Sequence, residues 1–149
     1  MPFSFDAPDA FAELERWYAN AARVLRELRE VEGGSPVRCW PHHFDIATLI
    51  PLSGDSDPET ARSIGVGMTP GDEYYAEPYW YVTPWPYPAE PSLQPLAGGG
   101  SWHTEKWLGA VLPGSRLVGG DPSTGQAQRL AGFLDSALRA CRAMLAAEH

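Results

Sequence analysis

Two short stretches of this 149-residue chain place a histidine two residues from a carboxylate: His43 with Asp45, and His103 with Glu105. On a β-strand, side chains alternate between faces, so a spacing of two puts both members of a pair on one side. A third carboxylate, Glu77, stands within a run of tyrosines. Two imidazoles and a carboxylate form a donor set that suits zinc, iron or manganese, with a position left open for water or substrate. His43, Asp45 and His103 are the metal ligands expected on this pattern. The same groups also fit a metal-free centre, in which Glu77 or Glu105 acts as general acid and His103 as the complementary base. Structural roles weigh about equally: His43 with Asp45 as a polar pair at the core boundary, and each glutamate as an ion pair with Arg38, Arg62 or Lys106. Covalent catalysis is not expected, because Ser101 lacks a nucleophile-elbow pattern and Cys39 has no recognisable catalytic context.

Aromatic residues crowd around these groups. Seven lie between Tyr74 and Tyr87, interleaved with prolines, more than the core face of one hairpin can use. The surplus reads as the wall of a cleft, and Trp40, His42, Tyr79, Tyr81, Trp85 and Trp102 are its expected substrate-binding residues. Core packing explains much of the same pattern, since each buried aromatic hides roughly 150–250 Å².

Those residues need strands to hold them. Val37–Ile50 reads as a central strand with β-branched Ile46, Thr48 and Ile50; Pro41 marks an edge or a bulge. Ser63–Met68 is a second strand, whose Gly65 and Gly67 leave room for a close neighbour. The Thr-Pro-Gly-Asp turn at 69–72 should join it to an aromatic strand at 73–83, forming a hairpin. Residues 84–100 are a proline- and glycine-rich loop, with Trp85 and Tyr87 placed to anchor it over the sheet. Residues 101–112 fit a further strand, with His103, Glu105 and Trp107 sharing a face, or a helix capped by Ser101, in which His103 and Glu105 diverge; Gly109 and Pro113 favour the strand. Helices flank this middle. Phe11, Leu14, Tyr18, Ala21, Leu25 and Leu28 recur at three-four spacing in residues 6–32, ended by Gly33-Gly34. Ala127, Leu130, Leu134, Ala137, Cys141 and Met144 do the same near the other end, after a Ser123–Gln126 capping box.

The expected fold is therefore α+β: an antiparallel sheet of four to five strands, with the N- and C-terminal helices lying side by side on one face. One globular domain spans 1–149, with the first helix in 1–34, sheet and loops in 35–120, and the last helix in 121–149. The pocket is expected on the opposite face, or at the end of the sheet under the proline loop.

Net charge is −8, and between Ser35 and Pro113 nine acids face only Arg38, Arg62 and Lys106. That balance argues against nucleic acid as a partner and favours a metal ion, a cationic ligand or acid–base work. No stretch reaches the length of a membrane span. The opening residues lack the basic and apolar regions of a secretory signal, and two cysteines make no disulfide framework, so a cytoplasmic setting is expected.

Trp-Pro-His-His-Phe-Asp at 40–45, Gly-Asp-Glu-x-Tyr-x-Glu-Pro-Tyr at 71–79 and Trp-His-Thr-Glu at 102–105 together resemble a family of bacterial proteins for which no activity is known. The resemblance covers most of the chain from Ser35 onward and implies no particular reaction. Two functional classes stay open: a small enzyme of hydrolase, isomerase or lyase type, with or without a divalent metal, and a non-catalytic module that binds a small ligand or a peptide. A homodimer built on the broad helix faces is a further expectation.

Overall fold

The computed structural model describes residues 8–40, 45–52, 62–119 and 125–147. Helix α1 (Pro8–Glu32) leads into strands β1 (Arg38–Trp40), β2 (Asp45–Pro51), β3 (Ser63–Thr69) and β4 (Tyr79–Trp85). Strands β5 (Ser101–His103) and β6 (Gly109–Pro113) follow, then a single-turn helix α2 (Gly114–Val118) and the long α3 (Gln126–Ala147). The fold is α+β, with one antiparallel sheet of six strands in the order β1-β2-β3-β4-β6-β5. The strand count exceeds the expected four to five because two expected single strands are each a pair.

The first is 37–50. Trp40 lies opposite Asp45, so the chain reverses between them and β1 runs back along β2. The second is 101–112. Its β5 ends at His103, the chain turns through Lys106 at φ 70°, and β6 returns from Gly109, which pairs with His103. The expected β3–β4 hairpin is present, with Gly67 opposite Tyr81 and Ser63 opposite Trp85.

One sheet face carries the core. Ile46, Ile50, Ile64, Val66, Met68, Trp80, Val82, Ala110 and Leu112 are buried there against Ala21 and Leu25 of α1 and Leu130, Phe133 and Leu138 of α3. The alternation in β2, apolar inward and Leu49 outward, is what a half-buried strand requires. In α3 the buried stripe is turned slightly from the expected one: Phe133 and Ala140 are inside, while Ala127 and Ala131 are exposed. Both helices lie on this face, but a groove of about 720 Å³ separates them, floored by Trp80. They approach at one end, where Arg142 of α3 pairs with Glu32 of α1.

Two loops fix these layers. After α1, Ser35 takes up both backbone groups of Leu49: its N–H donates to the Leu49 carbonyl, and its Oγ accepts from the Leu49 N–H. Residues 84–100 cross to α3 instead of covering the open sheet face. Ala97 N donates to Ser136 Oγ, and the Trp102 indole N–H donates to Gln94 O. Gly98, at φ +72°, sits so close to α3 that a Cβ there would lie 2.2 Å from the Arg129 carbonyl oxygen. Trp85, at the end of β4, and Tyr87, at the start of this loop, meet edge to face, each half exposed.

Cys39 is exposed and Cys141 is buried in α3, where burial pushes its thiol up to about 12. Only thiolates react with alkylating reagents. Folded protein should therefore take up one equivalent of iodoacetamide rapidly, and the Cys39→Ser variant should take up almost none until denaturant is added. Rapid labelling of Cys39→Ser would show that the α3 core opens readily.

Candidate functional site

The face of the sheet away from the helices is lined by glycines and tyrosines, and each kind of residue explains the other. Tyr79 and Tyr81, two apart on β4, both point to this side. Opposite Tyr81 stands Gly67, whose missing side chain opens a path across β3. The phenol lies in that path: a Cβ on Gly67 would be 2.6 Å from the Tyr81 oxygen and 2.8 Å from the Ala47 Cβ. The Tyr81 hydroxyl thereby reaches β2 and donates to Asp45 Oδ2 at 2.8 Å. Gly109 does the same for Trp107, whose ring would meet a Cβ there at 2.6 Å.

Between these two platforms the 70–78 loop folds back over the face. Asp72 organises it. Its Oδ1 accepts the backbone N–H groups of Tyr74 and Tyr75 at 2.9 and 3.1 Å, and its Oδ2 accepts the Tyr79 hydroxyl at 2.5 Å. An aspartate at the start of a turn, capping backbone donors two and three residues on, is the physical content of the Pro-Gly-Asp signature. The loop brings Tyr75 against Tyr79 and onto His103.

His103 is buried and boxed by aromatic rings. Trp107 stacks on it at 4.1 Å, and Tyr74 meets it edge-on at 4.9 Å. Its Nε2 lies 2.8 Å from the Glu105 carbonyl oxygen, and its Nδ1 lies 3.2 Å from the Tyr75 hydroxyl. A carbonyl only accepts, so Nε2 carries a hydrogen, and in the neutral ring Nδ1 accepts from the Tyr75 hydroxyl. Both ring nitrogens are thus engaged within the protein.

This arrangement revises several expectations. His103 does meet Glu105, but through the backbone carbonyl; the turn at 104–108 leaves the Glu105 side chain exposed, on no common strand face. Glu77 faces neither His103 nor a cation. Its two carboxylate oxygens accept the Ser115 N–H at 2.6 Å and the Ser115 hydroxyl at 3.1 Å, capping the start of α2. Among the described residues, neither glutamate pairs with Arg38, Arg62 or Lys106. Trp102 points to the helical side and packs on the core. Tyr79 is buried, leaving little of it for a ligand.

Asp45 and His103 share the open face but stand four strands apart, roughly 19 Å at the usual strand spacing. The rings of Tyr81, Tyr79 and Tyr75 fill the interval, with successive centroids 6.3 and 4.9 Å apart. Ligands of one metal ion lie within about 4 Å of each other, so these two cannot serve the same ion. Among the described residues, no group of three histidine, cysteine or acidic side chains is placed to hold a metal. His42, His43 and the Trp40 side chain lie outside the described residues.

What the face does present is an incompletely satisfied carboxylate. Asp45 Oδ1 is buried and has no hydrogen-bond partner among the described residues, although Oδ2 is held by Tyr81. Burial raises the phenols of Tyr79 and Tyr81 far above the usual tyrosine range, with the hydrogen bond to Asp72 and its charge adding to the shift at Tyr79, and Asp45 adding to it at Tyr81. Burial also lifts Tyr18 on α1 to about 12, with Cys39 and Asp45 adding to the shift.

These shifts have a defined sign. Below pH about 10 the phenols are protonated in both folded and unfolded chains. Above it, unfolded phenols lose protons that the folded ones keep, so stability falls as pH rises. A titration of phenolate absorbance should show Tyr18, Tyr79 and Tyr81 ionising together with loss of circular dichroism. The fall should be shallower in Tyr81→Phe. Smooth ionisation of all six tyrosines with the fold intact would contradict the buried network.

Tyr81 was among the residues expected to line the site; glycine pairing with large rings was the signal that could have located Trp107 there as well. Asp72 and Tyr75 were detectable only once the loop was known to fold back. No helix among the described residues is long and apolar enough to cross a membrane. No family model matches this chain, and no curated protein or solved structure compared with it matches either.

Proposed function

We propose that this chain is a non-catalytic binding module, whose tyrosine-lined sheet face takes a small cationic ligand at Asp45. The observation that carries this reading is the buried Asp45 Oδ1, which has no hydrogen-bond donor among the described residues. A buried acceptor left unpaired costs about 1–3 kcal/mol, more when charged, and a donor supplied by a ligand recovers it. An ammonium or guanidinium group brings both the donor and the compensating charge. The neighbouring phenol faces add cation–π attraction. The acidic middle of the chain favours the approach of a cation over that of an anion.

The acid–base alternative has weaker support. His103 has both nitrogens engaged, Glu77 caps α2, and Glu105 stands exposed away from the ring network. None of the three is poised toward a shared reacting atom, as general catalysis requires.

The test is calorimetric titration with n-butylammonium and with guanidinium, beside butyrate as the oppositely charged control. The cations should bind and raise the melting temperature, and butyrate should not. Asp45→Asn keeps the shape and the acceptor for Tyr81 but removes the charge. It should weaken cation binding by about 10- to 100-fold, the scale of one hydrogen bond to a charged group. Equal binding to Asp45→Asn, or equal response to butyrate, would refute the reading.

A further inference from the structure

The groove between α1 and α3 lies on the far side of the sheet from Asp45 and belongs to no part of the site above. Its floor is apolar, with Trp80, Leu130, Leu134 and Leu138 beneath it. Its apolar surface runs out to solvent at both ends: Val31 is 81% exposed and Val118 is 56% exposed, and both line it. At about 720 Å³ it falls within the size range of small-molecule sites, which pair an apolar lining with a few polar groups.

The charges along the rim decide which ligand it fits. Arg23 pairs with Glu27, Asp135 with Arg139, and Glu32 with Arg142. Each of these neutralises itself within the protein. Arg16 also lines the groove, beside Trp17 and Asn20, and has no hydrogen-bond or ion-pair partner among the described residues. The groove therefore offers a long apolar trough with one uncompensated cation, in a chain whose net charge is −8.

We infer that this groove binds a single-chain amphiphile with an anionic head, of the long-chain carboxylate class. The carboxylate sits at Arg16, where the guanidinium supplies planar donors matched to it. The tail lies over Trp80 and Leu134 and leaves toward Val31. Each methylene buried adds to affinity, so chain length should set how tightly the amphiphile binds and Arg16 the choice of head.

Decanoate and decyltrimethylammonium carry comparable tails and opposite heads, and calorimetric titration of the full chain with each is the test. Decanoate should bind at one per chain, about tenfold more tightly than the cation, as one charge-assisted contact at a partly exposed site allows. Arg16→Gln should abolish that preference and leave the fold unchanged. Ala131→Trp places a ring in the groove from an exposed position, and should remove binding of both probes. The inference fails if the two heads bind equally, if Arg16→Gln keeps the preference, or if Ala131→Trp binds as before. It also fails if sedimentation shows the groove closed in a dimer that Ala131→Trp dissociates. Because Asp45→Asn leaves the groove untouched, failure here and failure of cation binding at Asp45 are separate results.

Discussion

Trp80→Ala should remove about 3–5 kcal/mol of stability, the usual cost of truncating a fully buried tryptophan. Trp80 is among the largest fully buried side chains, and stands on β4, the strand α3 packs on, beneath the groove between the two helices. Domains of this size are stable by only about 5–15 kcal/mol, so the variant should be marginal or unfolded near body temperature. Trp80→Phe leaves a smaller void and should recover a large part of the loss. Urea denaturation followed by circular dichroism measures both. A cost below about 1 kcal/mol, the level of an ordinary surface change, would show that the core does not depend on this ring.

Gly67→Ala should be the most damaging single-methyl addition on the open face. The new Cβ would meet the Tyr81 oxygen at 2.6 Å, the Ala47 Cβ at 2.8 Å and the Ile46 carbonyl oxygen at 2.8 Å. Two of these belong to the adjacent strand and cannot swing away. Overpacking of this kind costs about 1–3 kcal/mol, and displacing Tyr81 also strips Asp45 of its one donor. The cost should be non-additive with Tyr81→Ala, because removing the phenol relieves one clash while the strand contacts remain. A double-mutant cycle by urea denaturation reads that coupling. Strictly additive losses would mean that Tyr81 does not lie over Gly67.

Much of the architecture was legible because it follows from periodicity. The three-four spacing of Leu25 with Leu28, and of Leu134 with Leu138, specifies helices with one apolar stripe, and the sequence pattern of 63–68 and 73–83 specifies strands, which the structure sets at 63–69 and 79–85. The two strands do pair, but Thr69 stands opposite Tyr79, so a loop over 70–78 joins them in place of the tight turn expected at Thr69-Pro-Gly-Asp72, and the strand expected from residue 73 begins only at Tyr79. What failed was continuity. Residues 40–45 and 103–109 each reverse direction, and alternation counted across a reversal assigns side chains to the wrong face. Glu105 was lost in that way. Glu77 was misplaced for another reason: its partner, Ser115, is 38 residues away on a helix of five residues, too short to leave a periodic signal. Asp45 and His103 were expected to meet in one pocket. Their separation depended on strand order, which local pattern does not encode, since β6 lies between β4 and β5.

Ser35, by occupying both main-chain groups of Leu49, does more than end a loop. Just beyond the three residues of β1, it closes the outer rim of β2 at the position where a foreign segment would begin to zip on, and Pro51 has no N–H to offer there. A sheet whose border is plugged in this way gives cross-β growth no long row of vacant amides to template from, despite the exposed leucine at 49. Opening that plug would free the main-chain groups of Leu49 and leave this border of the sheet ready to pair with another chain.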